Sequence, residues 1–213
     1  MMKPYYEHAG ITIYHGDCRE ILPHVKADVL VTDPPYGIGY RTSSSRSVLC
    51  RSRDYPPVTG DDEPFDPSHL PLSKPSIVWG GNNFASRLPD SPAWLVWDKR
   101  REGVSNDSAD VELAWSNLHT PARRYVCEWM GMLRDAERGL SVHPTQKPVP
   151  LMAWCLSLCP AGVVLDPYCG SGPTLRAAKN VGRRAIGIEI EERYCEVAAR
   201  RCEQEVLGLT VGA

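Results

Sequence analysis

Apolar and polar positions along this 213-residue chain follow two rhythms. Short apolar runs recur in ITIYH, VLV, SIVW, WLVW, VELAW, VVL and AIGI. Unbroken runs predict buried strands, and alternating ones predict half-exposed strands. Between them lie stretches with helical spacing: REILPHV, residues 147–158, the segment behind Gly172, and residues 192–207. The last carries Cys195, Ala198, Cys202 and Val206 on one face. The punctuation agrees. Pro148 opens the second stretch, and Pro160 and Gly162 stop it; Pro173 opens the third, with Gly182 just past its end. Strands alternating with helices predict an α/β sandwich around a mainly parallel sheet. Residues 41–60, RTSSSRSVLCRSRDYPPVTG, keep neither rhythm and predict a mobile basic loop. No internal repeat is visible.

Composition narrows this picture. With 42% hydrophobic and 23% charged residues, the chain reads as one globular domain, residues 1–213, with room for an inserted lobe. No apolar run approaches the ~20 residues of a membrane span, and MMKPYYEHAG lacks a signal-peptide core. The expected location is the cytoplasm. The eight cysteines show neither CxxC nor zinc-finger spacing, so free thiols are expected and no metal site. Net charge is −2, but it is unevenly spread. Arg41, Arg46, Arg51 and Arg53 fall within the loop, Lys99 to Arg101 form a second cluster, and Arg123 and Arg124 a third. A near-neutral body with basic loops suits an enzyme that touches a phosphate backbone at a few points. Solubilising surface charge is the plainer alternative.

The chemistry gathers at strand ends. VVLDPYCGSG runs from a strand through Asp166, Tyr168, Gly170 and Gly172 into a helix. Glycines there allow close backbone approach to a ligand, and ligands of open α/β sheets bind at the carboxyl ends of strands. A phosphate loop would need GxxxxGK[ST], and a dinucleotide site a third glycine, which GSGPTL lacks. A ligand with ribose and adenine but no phosphate, such as S-adenosylmethionine, is the third reading. Glu189, ending the next strand, is placed to accept from ribose hydroxyls. A plain turn is the fourth. Earlier in the chain, ADVLVTDPPYGIG ends an apolar strand in a carboxylate, two stiff prolines and an aromatic ring.

DPPY (Asp33, Pro34, Pro35, Tyr36), HPTQKP (143–148) and DPYCGSG (166–172), taken in that order, resemble the amino-methylating DNA methyltransferases, with the permuted order of their β class. YHGDC, WGGNNF and VWDKR add likeness to small phage-type members. The resemblance implies a Rossmann-like fold with a seven-stranded sheet, in which ITIYHGD lies beside RAIGIEI. It implies S-adenosylmethionine as cofactor, with Asp17 and Cys18 at its adenine, Glu189 at its ribose, and Thr145 and Lys147 at its methionine carboxylate. The implied partner is double-stranded DNA; a second copy of the chain and a cognate restriction endonuclease are candidate partners. Residues 117–142 and the basic loop are the candidate target-recognition segments.

An exocyclic amine on a base is a poor nucleophile, because its lone pair is delocalised into the ring. Asp33 and the Pro34 carbonyl supply two acceptors for its hydrogens, held rigid by fixed proline φ angles. Tyr36 supplies a face for a base turned out of the duplex. In the family this chain resembles, DPPY goes with both products and more often with N6-methyladenine, so the resemblance implies adenine over cytosine. The alternatives are a cytosine-N4 enzyme, methylation of protein or RNA, and an inactive binding protein. Without the cofactor motifs, DPPY would read as a turn with Asp33 as its cap.

Overall fold

The computed structural model describes residues 2–40, 57–100, 109–130, 133–134 and 146–204. Its strands and helices are β1 (Tyr6–His8), β2 (Ile11–His15), α1 (Cys18–Ile21), β3 (Val29–Thr32), β4 (Ser76–Trp79), β5 (Leu95–Asp98), β6 (Val111–Ser116) and β7 (Arg123–Val126), then β8 (Trp129–Met130), β9 (Leu133–Arg134), α2 (Val149–Leu158), β10 (Val164–Asp166), α3 (Pro173–Asn180), β11 (Ala185–Glu189) and α4 (Glu192–Glu203).

Nine strands form one sheet in the order β1-β2-β11-β10-β3-β4-β6-β5-β7. From β2 to β4 every pairing is parallel; β6 runs antiparallel to both β4 and β5. The seven strands from β2 to β5 are the expected sheet. Two further edge strands correct the expected count: β1, antiparallel to β2, and β7, parallel to β5. β7 comes from within 117–142, so part of that segment belongs to the main sheet. ITIYH does lie beside AIGIE, with Ile11 opposite Ala185 and His15 opposite Glu189.

The unbroken runs mark strands covered on both faces. Successive residues point to opposite sides, and β3 shows the result. Val29 and Val31 pack into a layer containing Leu151, Met152 and Cys155 of α2, Leu175 of α3 and Ala198 of α4. Leu30 faces the other layer, with Val78, Phe65, Phe84, Trp115 and Leu165. Burying each large side chain fully contributes roughly 1.5–3 kcal/mol before its entropy cost. Helix α2 begins two residues later than expected, with Pro148 at its N-cap. The seven described cysteines are free. Burial pushes the thiols of Cys195 and Cys202 up to about 12 and about 11, where they stay protonated and unreactive at neutral pH. Among the described residues no helix is long and apolar enough to cross a membrane.

This topology brings the carboxyl ends of β3, β10 and β11 to one rim, although β3 and β10 lie far apart in sequence. The functional residues stand on that rim.

Candidate active site

The DPPY turn leaves β3 at Thr32 and is held by a residue that no motif marks. Asp61, 5% exposed, accepts through Oδ1 from the backbone N–H groups of Tyr36 (2.9 Å) and Gly37 (2.8 Å). Its Oδ2 accepts from Tyr40 N–H at 2.6 Å, and its backbone carbonyl from Gly39 N–H at 2.7 Å. One side chain therefore fixes the turn that carries the reactive groups. Asp61→Ala leaves the Tyr36, Gly37 and Tyr40 donors unpartnered and should cost roughly 2–3 kcal/mol of stability, together with most of the activity; chemical denaturation and a turnover assay would check both. Wild-type stability in that variant would refute the clamp.

The Tyr36 ring packs on the backbone of Gly80. A Cβ there would lie 2.0 Å from the ring, and Gly80 has φ +71°, so glycine is needed on both counts. The Tyr36 hydroxyl donates to Asp33 Oδ1 at 2.7 Å and accepts from Lys147 Nζ at 2.9 Å. Lys147, 3% exposed, also reaches Asp33 Oδ2 at 2.7 Å and Glu112 Oε2 at 3.0 Å. Lys99 Nζ closes the network on Glu112 Oε1 at 2.9 Å. Burial pushes the Asp33 carboxyl up, against the pull of Lys147. Burial would also raise Glu112, but Lys147 and Lys99 outweigh it and hold that carboxyl at about 2. Burial works against the charge on Lys147, and Asp33 and Glu112 more than compensate, raising it.

The second half of the site is the turn after β10. Thr32 donates to Asp166 Oδ1 at 2.8 Å, tying the two motifs together. Asp166 is 2% exposed, and among the described residues no lysine or arginine pairs with it. Burial raises it to about 6, opposed by the Thr174 and Thr32 hydroxyls. Glu189 accepts from Gly170 N–H through one oxygen and from Glu191 N–H through the other, both at 2.8 Å. Gly172 opens α3 at φ +78°, where a Cβ would lie 2.8 Å from Ala198 Cβ. Tyr168 lies edge-on to Phe65, with its hydroxyl 2.7 Å from His69 Nε2. Asp17 caps α1 through Arg19 N–H and pairs with the Arg19 guanidinium at 2.6 Å.

One cleft of about 1470 Å³ joins the two halves. Asp33, Pro34, Pro35, Tyr36, Lys147, Asp17, Cys18, Asp166, Tyr168, Gly170 and Glu189 all line it. Four expected site residues stand elsewhere or differently. Gly172 packs on α4 and does not line the cleft. Lys147, expected at a methionine carboxylate, instead has its ammonium between Asp33 and Glu112, because the extended backbone before α2 buries it over Trp79 and Tyr36. Arg123 and Arg124 are exposed on edge strand β7, away from the cleft, with Arg124 3.7 Å from Asp98. Thr145, Arg41, Arg46, Arg51 and Arg53 lie outside the described residues. Asp61 and Glu112 escaped the motif reading, and Lys99 stood there only as part of a basic cluster and of VWDKR. The alternation in VELAW makes Glu112 half-buried, and an acid so placed beside a strand that Lys99 follows was the available signal.

A seven-stranded core from β2 to β5, parallel except for β6, and a rim where a polar cluster and a glycine turn share one cleft, define the Rossmann-like methyltransferase class. A family model described as DNA methylase, of the N6/N4 kind, matches residues 94–200, half of the chain. The chain belongs to this family of DNA methyltransferases, whose methyl donor is S-adenosylmethionine. It is 28% identical to the type II methyltransferase M.ScaI of Streptomyces caespitosus, over 97% of this chain and 86% of that protein. It is 25% identical to M2.LlaDCHI of Lactococcus lactis subsp. cremoris, over 100% and 95% of the two chains. Among solved structures, the M1.HpyAVI–SAM complex superposes with a TM-score of 0.53 at 24% identity, covering 90% of this chain and 99% of that one. PvuII DNA methyltransferase, cytosine-N4-specific, superposes with a TM-score of 0.63 at 15% identity, covering 95% and 89%. These structures establish the fold.

Proposed function

We propose that this DNA methyltransferase modifies the N6 amino group of adenine, with the base turned out of the duplex into the cleft. The observation that carries the reading is the joining of two sites through Thr32: an acceptor cluster at Asp33 and an unpaired buried carboxylate at Asp166.

The residues fit S-adenosylmethionine. Asp166 suits a cationic ligand, since no basic side chain pairs with it among the described residues. Glu189 spends one lone pair of each oxygen on backbone donors, and its remaining lone pairs suit a ribose diol. Tyr168 and Cys18 give walls for an adenine ring, beside Asp17. The bound cofactor supplies an electrophilic methyl group.

The chain's own groups prepare the amine. Asp33 and the Pro34 carbonyl accept from its two hydrogens and draw the nitrogen towards tetrahedral geometry. Because Asp61 and the prolines fix the turn beforehand, little is lost on aligning the reactants. The Tyr36 ring offers a stacking face, its hydroxyl anchored to Asp33 and Lys147. Arg123 and Arg124, exposed on β7, are assigned to phosphate contacts that position the duplex.

Adenine is favoured over cytosine by the aspartate that opens DPPY. The decisive experiment transfers labelled methyl to unmethylated DNA and digests the product to nucleosides. N6-methyladenine is the expected product; N4-methylcytosine would replace the base assignment, and unlabelled DNA would reject the activity.

A further inference from the structure

Behind the DPPY turn, two carboxylates share one ammonium unequally. Lys147 Nζ lies 2.7 Å from Asp33 and 3.0 Å from Glu112, while the second Glu112 oxygen takes Lys99 at 2.9 Å. Charges alternate along the row Lys99, Glu112, Lys147, Asp33. Glu112 stands between two cations; Asp33 stands at the end with part of one.

We propose that Glu112 is a positioning residue for methyl transfer: it holds the Lys147 ammonium and offsets its charge, so that Asp33 remains able to take the proton of the target amine. The proposal rests on the methyltransferase reading above and deepens it. Without Glu112, the whole charge of Lys147 would fall on Asp33, and a carboxylate in an undivided ion pair is a weak base. The two carboxyls are already driven apart. Burial raises Asp33, whereas Lys147 and Lys99 overcome burial at Glu112 and hold it at about 2. A pair split in this way divides the roles: Glu112 is the permanent anion and Asp33 the base. As the amine nitrogen gains its bond to the methyl carbon, the donor's carbon–sulfur bond breaks with its electron pair left on sulfur, which departs as a neutral thioether, and the nitrogen becomes cationic. One N–H bond then breaks, its electron pair returns to nitrogen, and the proton passes to an Asp33 oxygen. Asp33 later gives that proton to solvent at the cleft mouth. The groups facing Asp33 are Lys147 ahead of α2, Glu112 of β6, Tyr36 of its own turn and Asp166 of β10, with Lys99 acting through Glu112.

Two substitutions with opposite signs test this. In Glu112→Gln the acid limb of kcat against pH should move down by about one pH unit, and the plateau should fall about tenfold to a hundredfold. In Lys99→Gln, Glu112 has one fewer cation and offsets Lys147 more completely, so the limb should move up. Glu112→Asp should restore part of the loss, and cofactor affinity should stay within about twofold throughout. A merely structural role would not move the limb in opposite directions. Unmoved limbs, or shifts of the same sign, would overturn the proposal. If Glu112→Gln does not fold, Lys99→Gln decides alone: an upward shift supports the role, and anything else rejects it. Carbon-13 NMR of the Asp33 carboxyl reads the same displacement without turnover. A wild-type protein that methylates no DNA would thus fail the reaction assignment, while the role of Glu112 would still be decided.

Discussion

Asp33→Ala is expected to lower methyl transfer by about a thousandfold or more, while leaving S-adenosylmethionine affinity within about threefold of wild type. The substitution removes the charged acceptor from the amine site and leaves the Pro34 carbonyl. It also frees the Tyr36 hydroxyl and one side of Lys147, which still has Glu112 at 3.0 Å, so no charge is stranded. The cofactor half, built from Asp166, Glu189 and the glycine turn, makes no direct bond to Asp33. Asp33→Asn should be nearly as inactive: it keeps the volume but turns one acceptor into a donor facing another donor. Single-turnover transfer of labelled methyl, with calorimetry of cofactor binding, would check both. A fully active Asp33→Ala protein would refute the assignment of the acceptor.

Asp166→Asn should weaken cofactor binding about tenfold to a hundredfold at pH 8, on the scale of a lost charged partner, and yet stabilise the free protein. The sign follows from the raised carboxyl. In the free folded chain burial raises the Asp166 carboxyl from its ordinary 3.8 to about 6. The folded state therefore binds more protons within that window. The group's contribution to stability is full below the unfolded value and is lost as pH rises through about 6. Above the window the ionised group opposes folding by roughly 3 kcal/mol. Asparagine can still accept from Thr32 and from Tyr168 N–H, so the gain should appear as a higher Tm at pH 8 without cofactor. A cationic ligand needs the ionised form, so wild-type affinity should fall about tenfold per pH unit below pH 6; the Asn variant should be flat. A pH-independent wild-type affinity would remove Asp166 from the cofactor's cation.

Much of the sheet was legible because its strands are either unbroken or strictly alternating. VLVT and VVLD carry no polar residue before their final Thr32 and Asp166, and both are covered on two faces. The edges were less so. The three-residue β1 (YEH) and arginine-bearing β7 lack an apolar run, and tertiary pairing alone makes them strands. The motifs placed most site residues on one cleft. The supporting carboxylates were hidden for a physical reason: their partners come from remote elements. Asp61 closes on residues over 20 positions away, and Glu112 meets Lys147 from another strand. Lys147 lies within a motif, yet its direction depends on where α2 docks.

The sheet order also bears on how the protein is made. On a ribosome, β3 can find β4, β6 and β5 early, and β2 can find β1, but nothing joins these two pieces until β10 and β11 are synthesised. Until then the inner edges of β2 and β3 stay open, and each is a template for wrong pairing. Completion needs contact between Val29 and Val164 and between Ile11 and Ala185, closures of high contact order that fold slowly. A nascent chain released before residue 189 would carry the whole DPPY turn and no finished cofactor pocket. It should depend on chaperones in a way the full chain does not.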